Sequence, residues 1–265
     1  LTDLATVRNL SVGVAESGLP VRIRTTVTYA ETDEYLLFVE DESGGLYVHP
    51  NGLPLNLVAG DRIELEGVTA AGEFAPIIRA TNVASIGKQH VSEPRLVSMD
   101  DVYSGSEDSQ NVRLRGVIRK VVERDHYLVL SLALLGDVLQ VFLPNRNNAP
   151  IPRELVDSVV ELDAVCSNSF NSRRQLTGVR FFMADIGKLQ VLKAASSDPF
   201  GQPVLSIAHL LEFRPQGVPI NRVRLRGSVL WRGKSSRVSL HDGTAGISVY
   251  FREPYVAPVL GGEVD

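Results

Sequence analysis

The chain of 265 residues holds one cysteine, one tryptophan, two methionines and five histidines, and each scarcity removes a class of chemistry. A lone Cys166 excludes an intramolecular disulfide, a CxxC redox pair and a thiolate zinc cluster, each of which needs at least two cysteines. Between Val165 and Ser167 in a strand-like run, it reads as a buried small hydrophobe rather than a reactive thiol. The closest two histidines, His209 and His241, are 241 − 209 = 32 residues apart, so HxxxH and HExxH zinc signatures are absent. GxGxxG, a Walker loop and a GxSxG elbow are missing as well. Carboxylate pairs such as Asp33-Glu34, Glu40-Asp41 and Asp100-Asp101 are adjacent, and neighbouring strand residues point to opposite faces, so they read as solvated turns and caps. The reading is a non-catalytic chain with no metal and no cofactor. The longest apolar stretch, Tyr127 to Gly136, falls far short of the roughly 18 residues of a membrane helix, so no membrane span is expected.

What is present is ordinary globular composition, 44% hydrophobic and 22% charged, arranged as an internal repeat. Val21-Arg22-Ile23-Arg24-Thr25-Thr26-Val27 matches Val112-Arg113-Leu114-Arg115-Gly116-Val117-Ile118 and Val223-Arg224-Leu225-Arg226-Gly227-Ser228-Val229. Each copy alternates apolar and basic residues, the period of a half-buried strand. Downstream, Asp41-Glu42-Ser43-Gly44-Gly45-Leu46-Tyr47-Val48 matches Asp242-Gly243-Thr244-Ala245-Gly246-Ile247-Ser248-Val249, a hairpin between β-rich runs. The second copy keeps the flanking strands but has a different turn, residues 133–137. A fourth strand, Gly60 to Val68, aligns with Asp157 to Val165, while the third copy reaches only Gly261-Gly262-Glu263-Val264-Asp265. Fifth strands are predicted at Ile77 to Val83 and Gln175 to Phe182.

Five short strands in about 70 to 90 residues, with a hairpin between the second and third, predict an all-β tandem array of three small OB-like Greek-key barrels. A β-sandwich ordinarily shows seven or more strands. The expected organisation is a lead-in segment at 1–18, barrels at 19–88 and 112–193, connectors at 89–111 and 194–221, and a truncated third barrel at 222–265. The connectors hold prolines and short helical signals, namely Ser98 and Asp101 at capping-box spacing and Ser206 before an apolar run. Leu1 is not a natural start, so the chain reads as a piece of something longer, with its third barrel completed elsewhere.

Charge is uneven behind the formal net of −4: residues 19–88 carry five basic and ten acidic side chains, residues 112–193 twelve and eight, and residues 222–265 seven and four. An anionic ligand would prefer the later barrels. OB-folds present the face around strands two and three and the loop joining strands four and five to their ligands. Tyr47, Arg119, Tyr127, Trp231 and Arg232 are the candidates on the face, alongside other aromatic residues such as Phe38, Phe142 and Tyr250, half of which alternation sends inward. Asn171, Arg173, Arg174 and Gln175 are the candidates on the loop of the second barrel, where forked hydrogen bonds could clamp a carboxylate, phosphate or sugar.

The repeated VRIR/VRLRG strands, the DESGG and DGTAG hairpins, the GDRIELEG strand and the FNSRRQLTGV loop together resemble the extracytoplasmic sensor region of bacterial membrane-bound, two-component histidine kinases, from about residue 7 to 265. The resemblance implies a periplasmic sensor anchored in the inner membrane, followed in the full protein by a membrane helix and a kinase module. Its partners would be a small ligand or a periplasmic or extracellular protein, with homodimerisation of the receptor. Signalling would proceed by a population shift between two states. The alternatives are a nucleic-acid-binding OB array of a nuclease or repair protein and a carbohydrate-binding or structural module of a secreted protein. A pI near 5.8 and 6% aromatic residues weigh against nucleic acid, because backbone binding calls for a positive field.

Overall fold

In the computed structural model, all residues are described except 74, 135, 136, 172, 174, 199, 213–221, 234, 235, 252–255 and 257. Half of the chain is β-strand and 11% helix, in an all-β OB-like array. It divides into two compact units, Leu1–Ala194 and Ala195–Asp265. No helix among the described residues is long and apolar enough to cross a membrane.

The first unit opens with two five-residue helices, α1 (Leu4–Arg8) and α2 (Val12–Glu16). Strands β1 (Pro20–Glu31), β2 (Leu36–Asp41), β3 (Gly44–His49), β4 (Asp61–Ala70) and β5 (Ile77–Lys88) then close a barrel in the order β1-β2-β3-β5-β4. The third and fifth strands run parallel, and all other neighbours are antiparallel. The connector supplies a short strand β6 (Arg95–Leu96) and helix α3 (Met99–Ser104). Ser98 and Asp101 close a capping box on α3, as their spacing predicts.

The second barrel repeats the order with β7 (Asn111–Arg124), β8 (Tyr127–Leu134), β9 (Asp137–Pro144), β10 (Val159–Phe170) and β11 (Leu176–Phe182). A strand that the repeat does not show, β12 (Leu189–Lys193), adds to the edge of β10. Each barrel has its own apolar interior, filled in the first by residues such as Ile23, Leu37, Ile63 and Ile78 and in the second by Leu114, Ile118, Leu130 and Phe181.

The second unit holds helix α4 (Ile207–Leu211) and an open sheet of β13 (Gly227–Arg232), β14 (Arg237–His241), β15 (Gly246–Tyr250) and β16 (Glu263–Val264), ordered β15-β14-β13-β16. This is the barrel order without a fifth strand among the described residues. Its core is small: Ile207, Val229, Val238 and Leu240.

Two devices explain why such different stretches fold alike. The arginines of the repeated strand lie opposite acids of the fourth strand. Arg24 faces Glu64, Arg113 grips Asp163 through Nε and Nη2 at 2.7 and 3.1 Å, Arg115 holds Glu161 at 2.6 Å, and Arg224 and Arg226 share Asp265 at 2.6 and 2.7 Å. These cations are neutralised within the fold rather than offered to a ligand. The first strand of every copy also bulges just after its alternating run, between Val27 and Tyr29, Ile118 and Lys120, and Val229 and Trp231. A bulge re-aims the side chains that follow it, which makes Tyr29, Lys120 and Trp231 equivalent positions.

Candidate functional site

In the first unit the aromatic candidates meet each other. Tyr29, Phe38 and Tyr47 of the first barrel converge with Tyr127, Phe142 and Phe182 of the second. The Phe182 ring centre lies 5.2 Å from Tyr29, 6.2 Å from Phe38 and 5.6 Å from Phe142. Tyr127 meets Phe142 edge-on at 5.6 Å, and its hydroxyl is 3.4 Å from that of Tyr29. Burial pushes both phenols up, Tyr127 to about 12. Polar contacts fasten the seam at its rim: Arg146 reaches the fully buried Glu31 side chain at 2.6 Å, and the Gln110 amide exchanges hydrogen bonds with both the N–H and the carbonyl of Gly45 at 2.8 and 3.2 Å. A Cβ on Gly45 would sit 2.0 Å from the Ser109 carbonyl oxygen, so this hairpin position admits only glycine.

Tyr127 is thus seam rather than ligand surface, while Tyr47 stands at the edge of the seam, half-buried, with its hydroxyl donating to the Tyr35 carbonyl at 3.0 Å. Arg119 pairs with Asp157 at 3.1 Å. On the loop after β10, Asn171 Oδ1 accepts from the backbone N–H groups of Arg173 and Gln175, and its amide donates to Gln175 Oε1 at 3.0 Å. Asn171 and Gln175 shape the turn, the exposed Arg173 belongs to it, and Arg174 lies outside the described residues.

Beside the seam, still within the first unit, a cleft of about 770 Å³ opens between the two barrels. Phe38, Tyr47, Ile77 and Phe170 give it apolar walls, and Arg79 and Arg180 stand at its surface. Asp108 also lines it, its carboxyl pushed up by burial. Among the described residues no group of three or more His, Cys, Asp or Glu could hold a metal.

The second unit presents the opposite situation. Trp231, 51% exposed, and Tyr250, 67% exposed, flank Arg237, whose guanidinium lies 5.8 and 5.4 Å from their ring centres. Sheet register places them together: Arg237 pairs with Tyr250 across β14 and β15, and Trp231 lies opposite Ser239. The bulge in β13 leaves Leu230, Trp231 and Arg232 all exposed in succession. Arg237 donates to Ser248 Oγ at 3.0 Å and makes no ion pair with a described residue. Trp231 and Arg232 were expected on such a face; Arg237 was missed, although the alternation of Arg237-Val238-Ser239-Leu240 places it on the same side as Ser239.

No family model and no curated protein matches the chain. Among solved structures it is similar to asparaginyl-tRNA synthetase from Pyrococcus horikoshii (16% identity over 39% of this chain and 24% of that one, TM-score 0.29), to the p204 HINb domain (13%, 64% and 95%, TM-score 0.28), and to a murine DNA-binding protein bound with double-stranded DNA (10%, 68% and 98%, TM-score 0.28). The chain spans about a quarter of the synthetase's length. The expectation of a two-component sensor, with a periplasmic ligand or protein as its partner, is corrected here: no family model or curated protein links the chain to such a region, and the solved structures it is similar to are a tRNA synthetase, a HIN domain and a DNA-binding protein. The motifs behind it are the ion pairs and hairpins that close an OB-like barrel. The expectation that nucleic acid is disfavoured falls with it. Its premise, the acidic balance of the whole chain, averages over arginines already paired inside each barrel and says little about one exposed face.

Proposed function

We propose that the chain is a nucleic-acid-binding array of OB-like barrels, and that the open sheet of its second unit stacks the bases of a single strand. The observation that carries this is the exposed Trp231–Arg237–Tyr250 platform on β13 to β15. Two aromatic faces with a guanidinium between them supply what sequence-tolerant binding needs: stacking for bases and a cation for the backbone. Arg232 adds charge next to Trp231. The position equivalent to Trp231 in the first barrel, Tyr29, is buried against a neighbouring barrel, so the same fold position serves packing in one copy and presents an exposed ring in another.

The test is fluorescence anisotropy of a labelled oligothymidylate against the whole chain at about 50 and about 200 mM salt. Binding that weakens with salt, and that falls about tenfold or more in Trp231→Ala and in Tyr250→Ala, supports the reading, since a base-stacking contact contributes about 1–3 kcal/mol. Absence of binding at the lower salt, or binding that both variants leave intact, overturns it. A labelled duplex and a soluble glucan run in parallel separate strand stacking from duplex or sugar binding.

A further inference from the structure

The cleft in the first unit has a different shape from the platform, and a different ligand follows. In the copy-to-copy alignment, Leu36 and His49 correspond to Arg237 and Tyr250, and both line the cleft. The same barrel face is therefore used twice, once open and once walled by a second barrel. An open face suits an extended chain. A cleft of about 770 Å³ is within the range of small-molecule sites.

Three features define what it would hold. First, the aromatic seam ends in it: Phe38 and Tyr47, with ring centres 5.3 Å apart, line the cleft, and Phe38 stacks on Phe182 at 28°. Phe38 is buried, so a flat ring entering here would pack on the half-buried Tyr47, which is tilted 53° to Phe38. Second, two cations line it from the fifth strands of both barrels, Arg79 on β5 and Arg180 on β11. Almost every arginine of the repeated strands is locked in an ion pair, yet Arg79 and Arg180 pair with no described acid, and Arg180 instead lies 5.7 Å over the Phe182 ring. Third, the wall contributes unfilled hydrogen-bonding capacity. The Asn168 amide nitrogen is buried and finds no acceptor among the described residues, while the backbone N–H of the same residue donates to Asp108 at 3.0 Å.

We propose that this cleft binds a small organic anion built from a flat ring system and an oxyanion group, the ring packing on the half-buried Tyr47 and the oxyanion taken by Arg79 and Arg180. Guanidinium forks suit carboxylate and phosphate equally, so the shared chemistry is a planar ring joined to either. The inference stands on the first unit alone and does not need the strand-binding platform.

Isothermal titration of the whole chain with four probes tests it: adenosine 5′-monophosphate, 1-naphthoate, adenosine, and inorganic phosphate. The expected result is saturable binding of the monophosphate, the naphthoate or both, with adenosine and phosphate each at least tenfold weaker. Which of the two anions binds tells phosphate from carboxylate. Arg79→Gln and Arg180→Gln should each weaken the bound probe about tenfold at unchanged melting temperature, and Trp231→Ala should leave it unaltered. Should neither ring-bearing anion bind at millimolar concentration, or should both arginine variants bind like the parent chain, the proposal is overturned. Because both arginines are exposed and neither pairs with an acid among the described residues, their replacement is not expected to unfold the barrels.

Discussion

Asp242 accepts the backbone N–H of Ile207 at 2.7 Å, so the turn of the third hairpin caps a helix that begins 35 residues upstream of it. The other oxygen accepts from the Thr244 N–H, the Thr244 hydroxyl and the Ala245 N–H. Asp41 does the same in the first barrel, reaching the Leu4 N–H at 3.1 Å while holding Ser43. One carboxylate thus fixes the hairpin and ties it to the preceding helix, and the second barrel has no equivalent among the described residues. Asp41→Ala should destabilise the first unit by about 1 kcal/mol, the usual worth of a lost cap, read as a shift in the urea midpoint.

The Asp242 network has a pH signature. Hydrogen bonds, first from the Thr244 hydroxyl and then from the Ile207 N–H, hold its carboxyl well below the usual carboxylate range. A depressed folded-state pKa gives stability that is complete above the unfolded value, near 4, and is lost as pH falls through the folded value. The paired Asp265 is depressed in the same way, first by Arg224 and then by Arg226. Melting of the second unit should therefore weaken as pH drops below about 4. Asp242→Asn should lower the melting temperature at neutral pH and flatten that acid slope, the remainder belonging to Asp265. A slope unchanged in the variant would mean that the capping carboxylate does not titrate with folding.

Gly116 ends the VRLR run of the second barrel because a carbonyl stands where its side chain would be. A Cβ there would lie 2.5 Å from the Ala133 oxygen. In the first barrel the equivalent Thr25 donates its hydroxyl to the corresponding carbonyl, that of Glu40, at 2.6 Å. Two residues meet the same oxygen in two ways, by hydrogen bond and by omission. Gly116→Ala must push strand β8 away and should cost about 1–3 kcal/mol, the usual range for overpacking. Differential unfolding in urea would show it, and a variant as stable as the parent would mean that the strands slide freely at this point.

The repeat carried most of the architecture in plain view. Alternating apolar and basic residues, the DESGG and DGTAG hairpins and the acidic fourth strand mark strands whose partners are one another, and the structure pairs Arg113 with Asp163 and Arg115 with Glu161 accordingly. For the same reason these motifs carry fold and not function. The site was less legible. Period-two alternation places Tyr47, Tyr127 and Trp231 on strands, yet only tertiary packing decides that Tyr127 is covered by a neighbouring barrel while Trp231 is not. Arg79 and Arg180 could not be told from the paired arginines, because being unpaired depends on what lies across space rather than along the chain.

Cys166 should be silent to thiol reagents in the native state. It is fully buried in the second barrel, its thiol pushed up chiefly by that burial and then by Asp108 and Glu107, so thiolate is scarce at neutral pH. Ellman's reagent should show no release in buffer and one equivalent in denaturant, the single cysteine of the sequence. Rapid native reaction would mean that the end of β10 opens readily.

The contact between the first two barrels rests on a charge that only one partner neutralises. Glu31 has no exposed side-chain surface, and Arg146, itself 60% exposed, reaches it at 2.6 Å. Removing one member of a fully buried pair typically costs about 3–5 kcal/mol, because the other is left charged in a poor solvent. Here water can partly replace Arg146, so Arg146→Gln should cost less, about 2 kcal/mol. The double variant Glu31→Gln/Arg146→Gln should recover much of that, since no charge is then stranded. Truncating the ring at the centre of the seam, Phe182→Ala, should cost more, about 3–5 kcal/mol, and no partner substitution should restore it. If the seam holds the barrels together, both Arg146→Gln and Phe182→Ala will also expose the connector between residues 89 and 111 to limited proteolysis, while Asp41→Ala will not. Equal protection in all three variants would place the cohesion of the first unit elsewhere, in the Gln110–Gly45 hydrogen bonds at the rim.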